Sequence, residues 1–187
     1  TIVLSIGVQR MVKVNTVVRK LPSVETLGAV SVVCSDKTGT LTQNKMTVLE
    51  AYTFGNYYTS NDFVPNSTNP LLIELANGMS LCSNATVDEG LYGDPTEIAL
   101  VYLANQFDFH KKDLEIERPR VDELPFDSVR KMMSTKHVLK EGSSIIYTKG
   151  ALDSILSRAK FIKTNDCVRE ITQEDIEAVI KRTSPSI

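Results

Sequence analysis

The stretch from Val30 to Thr42, Val-Ser-Val-Val-Cys-Ser-Asp-Lys-Thr-Gly-Thr-Leu-Thr, limits what this chain can fold into more than any other. It opens as a short apolar run rich in β-branched side chains, the composition of a strand covered on both faces in a parallel sheet. It then breaks into Ser35, Asp36, Lys37, Thr38 and Gly39. In open α/β sheets, chemistry sits just beyond the carboxyl ends of the strands, and Asp36 falls at that place. A carboxylate there can attack a phosphoryl group and carry it as an aspartyl-phosphate. Gly39 lets the backbone approach a phosphate closely, Thr38 and Thr40 offer hydroxyls, and Lys37 offers positive charge. The Asp36 carboxylate and nearby backbone carbonyls, that of Thr38 included, are hard oxygen ligands suited to Mg²⁺. The plainer reading is that Asp36 caps a turn, since Asp, Thr and Gly are ordinary turn residues.

Asp36–Lys37–Thr38–Gly39–Thr40 matches the phosphorylation motif of the P-type ATPases, and the chain resembles that family. Five fixed residues should arise by chance in about one in ten thousand chains of this length, so the match is specific. The flanks, Lys20–Gly28 before it and Gln43–Val48 after it, look like the calcium-pump branch. The resemblance implies that Asp36 is the phosphate acceptor, with Lys37, Thr38 and Thr40 around it. It implies Mg²⁺ held by Asp36 and by the backbone carbonyl of Thr38. It also implies an α/β fold in two parts: an α+β nucleotide-binding domain, with an antiparallel sheet flanked by helices, and the first strand of a Rossmann-like phosphorylation domain. Many phosphatases of the wider superfamily carry a second Asp two residues after the nucleophile, as general acid and base. Thr38 stands there in this chain, and a hydroxyl cannot activate water as a carboxylate does. An aspartyl-phosphate on Asp36 should therefore persist, as a pump requires and a plain phosphatase does not.

Composition closes off other classes. The 187 residues suffice for one domain or two small ones, and 42% hydrophobic with 24% charged residues reads as globular. A net charge of −2 with no basic block argues against a nucleic-acid partner. Cys34, Cys82 and Cys167 are far apart and odd in number, against a disulfide framework or a zinc site and in favour of reduced thiols. Cys34 is expected in the core, inside the buried strand. The apolar run Thr1–Val8 ends at Gln9 and Arg10, far short of the roughly 20 residues of a membrane span, and has no basic leader. By resemblance it matches the cytoplasmic end of a membrane helix and its stalk.

Beyond the motif, Glu50–Tyr58 reads as a strand and 56–69, rich in Asn, Ser, Thr and Pro, as a surface loop. Pro70–Ser83 reads as a helix with Leu71, Leu72, Leu75, Met79 and Cys82 on one side. Asp94 is a good N-cap for a helix running from Pro95 to about Phe107, and Glu97 completes a capping-box pattern. Capping alone accounts for both carboxylates; the family pattern adds adenine contact by Glu97. Glu123–Ser134 is the segment that, by resemblance, supplies an aromatic stacked on adenine, Phe126, and a lysine near the phosphates, Lys131. Without the resemblance, Phe126 reads as a core residue and Lys131 as a solvated strand residue. Lys131–Leu139 and Ser144–Thr148 read as a hairpin turning at 140–143. Lys149–Gly150–Ala151 resembles the element that carries a lysine deep into the ATP pocket, with Gly150 keeping the wall thin. Helices are expected over Leu152–Ala159 and from Thr172 to Ser184–Pro185.

The chain holds no Thr-Gly-Asp-Gly-x-Asn-Asp segment, which by resemblance would complete the Mg²⁺ site, and no P-loop. The expected organisation is a stalk over 1–23, the start of the phosphorylation domain over 24–48 and a nucleotide-binding domain over 49–187. The expected function is the ATP-binding and phosphorylation region of an ATP-driven cation pump, Ca²⁺ being the ion suggested by the flanks. ATP and Mg²⁺ are its cofactors, the rest of the pump its partner and the cytoplasmic face of a membrane its location. Two other classes stay open: a nucleotide-binding module without chemistry, and a soluble phosphatase of the same superfamily.

Overall fold

Hydrogen-bond partners decide which of these segments become regular structure. The computed structural model describes residues 2–59, 62, 65 and 68–183. Backbone packing divides the chain into two units, Thr1–Asn44 and Lys45–Ile187.

In the first unit, α1 spans Ile2–Val12 and α2 spans Pro22–Leu27, with Pro22 at the opening of the helix where its missing N–H costs nothing. Gln9 and Arg10, expected to end the apolar run, lie inside α1. The strand expected over Val30–Cys34 does not form: these residues have no ladder partner and are exposed, Val33 at 80% and Cys34 with its thiol in solvent. A parallel strand is stable only between neighbours, and none of the described residues supplies one. The motif itself forms a turn. Asp36 is extended and its carboxylate accepts from the Thr38 amide at 3.3 Å, Gly39 takes φ 75°, and the Thr42 amide returns to the Lys37 carbonyl at 3.1 Å.

The second unit begins with a hairpin, β1 (Glu50–Thr53) and β2 (Asn56–Thr59), where a single strand was expected; Phe54–Gly55 makes the turn. Much of the expected loop after it, and the expected stop at Ser184–Pro185, lie outside the described residues. Three helices follow: α3 (Pro70–Leu81), α4 (Pro95–Gln106) and α5 (Lys111–Glu117). Asn69 caps α3 by accepting from the Leu71 amide at 2.9 Å. The apolar faces of α3 and α4 meet in a core of Leu72, Ala76, Met79, Leu103, Ala104 and Phe107. Each fully buried large side chain there contributes about 1.5–3 kcal/mol.

An antiparallel meander comes next: β3 (Arg120–Asp127), β4 (Met132–Val138) and β5 (Ser144–Gly150), with β4 in the centre. Met132, Met133, Thr135 and His137 of β4 are buried. His137 bonds the Arg118 carbonyl at 2.9 Å and Thr135 Oγ1 at 3.0 Å, and its burial holds the imidazole below its ordinary pKa. A short α6 (Leu152–Leu156) ends before the expected Ala159. The hairpin β6 (Phe161–Lys163) and β7 (Val168–Glu170) leads to α7 (Gln173–Thr183). There Thr172 and Asp175 exchange amide bonds at 2.9 and 3.3 Å, a capping box.

Candidate functional site

Two chain reversals build the site. At the start of α4, the Asp94 carboxylate accepts from the Thr96 amide at 2.8 Å and fixes the first turn. Gly93 stands just before it with φ 123°, and a Cβ there would lie 2.7 Å from both Cα and Cβ of Ala85. Only glycine lets the loop at 83–85 come this close to the helix start. At the other side, β5 ends at Lys149 and Gly150 beside the turn that joins β3 to β4. In that turn Asp127 accepts from the amides of Val129 and Arg130 at 3.0 and 2.7 Å, and Lys131 adopts φ 55°.

Between these reversals lies a cavity of about 670 Å³, lined by Asp94, Thr96, Glu97, Leu100, Phe126, Lys131, Lys149, Gly150 and Ala151. A volume of this size suits a small organic ligand. All five residues singled out for nucleotide contact, Glu97, Phe126, Lys131, Lys149 and Gly150, lie on its wall. Asp94, Thr96, Leu100 and Ala151 line it as well and were not singled out for nucleotide contact.

Phe126 is 65% exposed, so it is not the core residue that its apolar character suggests; its ring is free to meet a ligand. Lys131 is not on a strand either. Its ammonium reaches Asp153 Oδ2 at 3.2 Å, an exposed pair of small energetic weight. Asp36, Lys37, Thr38 and Thr40 belong to the first unit and are all exposed.

Glu97 departs from the capping-box expectation. Its carboxylate turns away from the helix start: Oε1 accepts from Lys149 Nζ at 2.5 Å, and Oε2 accepts from the amides of Asn84 and Ala85 at 2.8 and 3.1 Å and from Ser83 Oγ at 3.3 Å. The capping role falls to Asp94 alone, because a carboxylate near four donors gains more than one that satisfies a single amide. Burial is the largest influence on Glu97 and pushes its carboxyl up. The bonds from Lys149, the Asn84 amide and Ser83 outweigh it and hold the pKa below the ordinary value.

The sequence reading missed two further cations. Lys111 is buried, and its ammonium donates to the carbonyls of Ser83 and Ala85, both at 2.8 Å. Arg120 donates to the carbonyls of Leu81 and Ser83 at 2.9 and 2.6 Å. The bonds that tie both residues to this loop run to backbone carbonyls, which no pattern of side chains reports.

Replacing Glu97 by Gln keeps one acceptor for the two amides and sets an NH₂ against the Lys149 ammonium. The side chains of the pair are 15% and 26% exposed, so the loss is not screened away. Glu97→Gln should cost about 1–3 kcal/mol at pH 7 and lower the melting temperature by roughly 3–9 °C. Because the folded pKa is depressed, the wild-type advantage should be complete above the ordinary carboxylate range and disappear as pH falls through the folded value. Thermal melts of both proteins from pH 7 down to pH 3 check this; identical melts at pH 7 would show that the pair contributes nothing.

Comparison with known proteins shows the family of the chain. The model of the family described as P-type ATPase, cytoplasmic domain N, matches residues 71–184. The chain is 48% identical over 183 residues to calcium-transporting ATPase 1 of Bacillus cereus, covering 97% of this chain and 20% of that protein. It is 42% identical over 178 residues to calcium-transporting ATPase 1 of Lactococcus lactis, covering 93% and 20%. It is 34% identical over 193 residues to the human calcium-transporting ATPase type 2C member 1, covering 93% and 21%. The chain thus spans about a fifth of the length of the curated relatives it matches.

Proposed function

The chain belongs to the P-type ATPase family, and from that premise we propose that it supplies the ATP-binding and phosphorylation region of an ATP-driven cation pump. The observation that carries the nucleotide half is the single cavity onto which Glu97, Phe126, Lys131, Lys149 and Gly150 converge. In this reading residues 49–187 bind nucleotide, 24–48 begin the phosphorylation domain and 1–23 are a stalk. Adenine stacks on the exposed Phe126 ring and meets Glu97, Lys149 stands deep in the pocket beside Glu97, and Lys131 meets the phosphates. Gly150 leaves the wall flat where the nucleotide passes.

Asp36 is the phosphate acceptor: a carboxylate oxygen forms the new P–O bond, and ADP departs as the old one breaks. Lys37 and the hydroxyls of Thr38 and Thr40 stand around the transferred group. Mg²⁺ fits the donor set of the Asp36 carboxylate and the Thr38 carbonyl, two hard oxygens on an exposed turn, because this ion keeps much of its water shell. Among the described residues no three His, Cys, Asp or Glu side chains converge on a metal site. When bound, the ion neutralises charge on the phosphates.

The similarity to calcium-transporting ATPases supports Ca²⁺ as the transported ion, the remainder of a pump as the partner and the cytoplasmic face of a membrane as the location. No helix among the described residues is long and apolar enough to cross a membrane.

With no phosphate-cradling loop, ATP should bind weakly, with Kd ~0.1–1 mM. Loss of the stacking ring in Phe126→Ala or of the ammonium in Lys149→Ala should each raise Kd about tenfold. Titration by NMR or fluorescence checks this. Unchanged affinity in both variants would mean that the cavity is not the nucleotide site.

A further inference from the structure

We propose that Lys111 and Arg120 act as positioning residues for the cavity, holding the Glu97 carboxylate in place and ionised through the Ser83–Asn84 peptide. Neither side chain lines the cavity. Both grip the Ser83 carbonyl, Lys111 at 2.8 Å and Arg120 at 2.6 Å. The N–H of that same peptide, on Asn84, donates to Glu97 Oε2 at 2.8 Å. A cation on each lone pair of a carbonyl draws electron density from the amide nitrogen, so its N–H becomes a stronger donor. The amide of the following peptide, on Ala85, also donates to Glu97 at 3.1 Å, and Lys111 anchors the loop one peptide further on through the Ala85 carbonyl at 2.8 Å.

The clamp also fixes where the amides point. Arg120 adds the Leu81 carbonyl at 2.9 Å and Asn84 Oδ1 at 2.7 Å, so the end of α3 and the loop after it are held from two sides. With Oε2 committed to the loop, Glu97 presents Oε1 to Lys149 and to the cavity. The charged groups around Glu97 are Lys149 of β5, Lys111 and Glu115 of α5, Arg120 and its partner Glu123 of β3, and Asp94 at the start of α4. Burial lowers the Lys111 pKa, yet three oxygens face its ammonium: two carbonyls and Glu115 at 3.7 Å. The Lys111 ammonium is thus bonded to the backbone of the same loop whose amides hold Glu97.

The ligand part of this inference rests on reading the cavity as the nucleotide site, whereas the Glu97 part does not. The test is a ¹³C NMR titration of the Glu97 carboxyl in wild type, Lys111→Met and Arg120→Met, with ATP titrations of the same samples. Removing either cation should move the Glu97 midpoint upward and raise the ATP Kd about three- to tenfold. Lys111→Arg, which keeps the charge, should return the midpoint toward wild type. A role confined to folding would lower the melting temperature and leave the midpoint where it is. An unmoved midpoint in a variant with a native amide spectrum overturns the proposal. Lys111→Met uncovers two interior carbonyls and is the variant more prone to unfold. Arg120, with a side chain 21% exposed, then decides, since it grips the same carbonyl. A wild-type chain that binds no ATP would overturn the nucleotide reading, while the Glu97 midpoint still decides the positioning role.

Discussion

Replacing Asp36 by Asn is expected to abolish phosphoenzyme formation in the intact pump, with acid-stable label from γ-labelled ATP falling at least a thousandfold, to background. A neutral carboxamide is a poor nucleophile at phosphorus, and no neighbouring residue can replace the lost oxygen. The substitution is otherwise mild. Asp36 is exposed, and its carboxylate accepts from the Thr38 amide at 3.3 Å, a bond that the Asn carbonyl can also accept. The turn that follows is held by Thr42 on the Lys37 carbonyl, at 3.1 Å from its amide and 3.3 Å from its hydroxyl, and does not depend on charge at Asp36. Lost label would therefore report on the nucleophile and not on the fold. The measurement is incubation with labelled ATP and Mg²⁺, acid quench, then hydroxylamine, which cleaves an acyl phosphate but spares phosphoserine and phosphothreonine. Label that survives in Asp36→Asn would remove Asp36 from the reaction and reopen the reading in which it only caps the turn.

The second large effect is on stability. Gly150→Ala should cost about 3 kcal/mol and lower the melting temperature by roughly 6–12 °C, with weaker nucleotide binding beside it. A Cβ on Gly150 would lie 2.5 Å from Met132 Cγ and 2.9 Å from Met132 Cα, and would press on the Lys131 carbonyl oxygen as well. Two of these atoms are backbone and cannot rotate away. Gly150 pairs with Met132 at the end of the β4–β5 ladder, and the adjacent Ala151 amide bonds the Lys131 carbonyl at 3.0 Å. Relief of the collision must part the strands where Lys131, Lys149 and Gly150 line the cavity. Gly78→Ala makes the contrast. Gly78 lies inside α3, and a Cβ there would rest 3.5 Å from Tyr147 Cδ1, an ordinary contact. That variant should be stabilised by about 0.5–1 kcal/mol through helix propensity. Denaturant melts of both proteins decide the matter; equal stability of Gly150→Ala and wild type would show that the strand end yields freely.

Gly150 also shows how far residue patterns reach. From sequence it is a thin wall for a ligand; the folded chain adds that its own backbone needs the space. Glu97 is similar. Its position three residues after Asp94 suggests a reciprocal cap, yet Lys149, distant in sequence, and the amides of Asn84 and Ala85 claim the carboxylate instead. Local spacing ranks local partners and is blind to those brought in by the sheet. The apolar run Val30–Cys34 marks the opposite limit, since β-branched composition states a preference for a strand but cannot supply the neighbours that a strand requires.

What the sequence determined by itself was whatever depends on short range. The cap at Asp94, the helix phases that bury Leu72 and Met79, and the hairpin from Met132 to Gly150 follow from side-chain period and turn chemistry. So did the residue types around the cavity, because Glu97, Phe126, Lys131, Lys149 and Gly150 lie in recognisable short motifs. Tertiary structure alone decided that those motifs share one wall, that Phe126 stays exposed, and that Lys111 and Arg120 grip the loop behind Glu97. The reason is physical: these contacts join side chains to backbone carbonyls and amides across tens of residues, and backbone groups are the same at every position until the fold selects which of them face a charge.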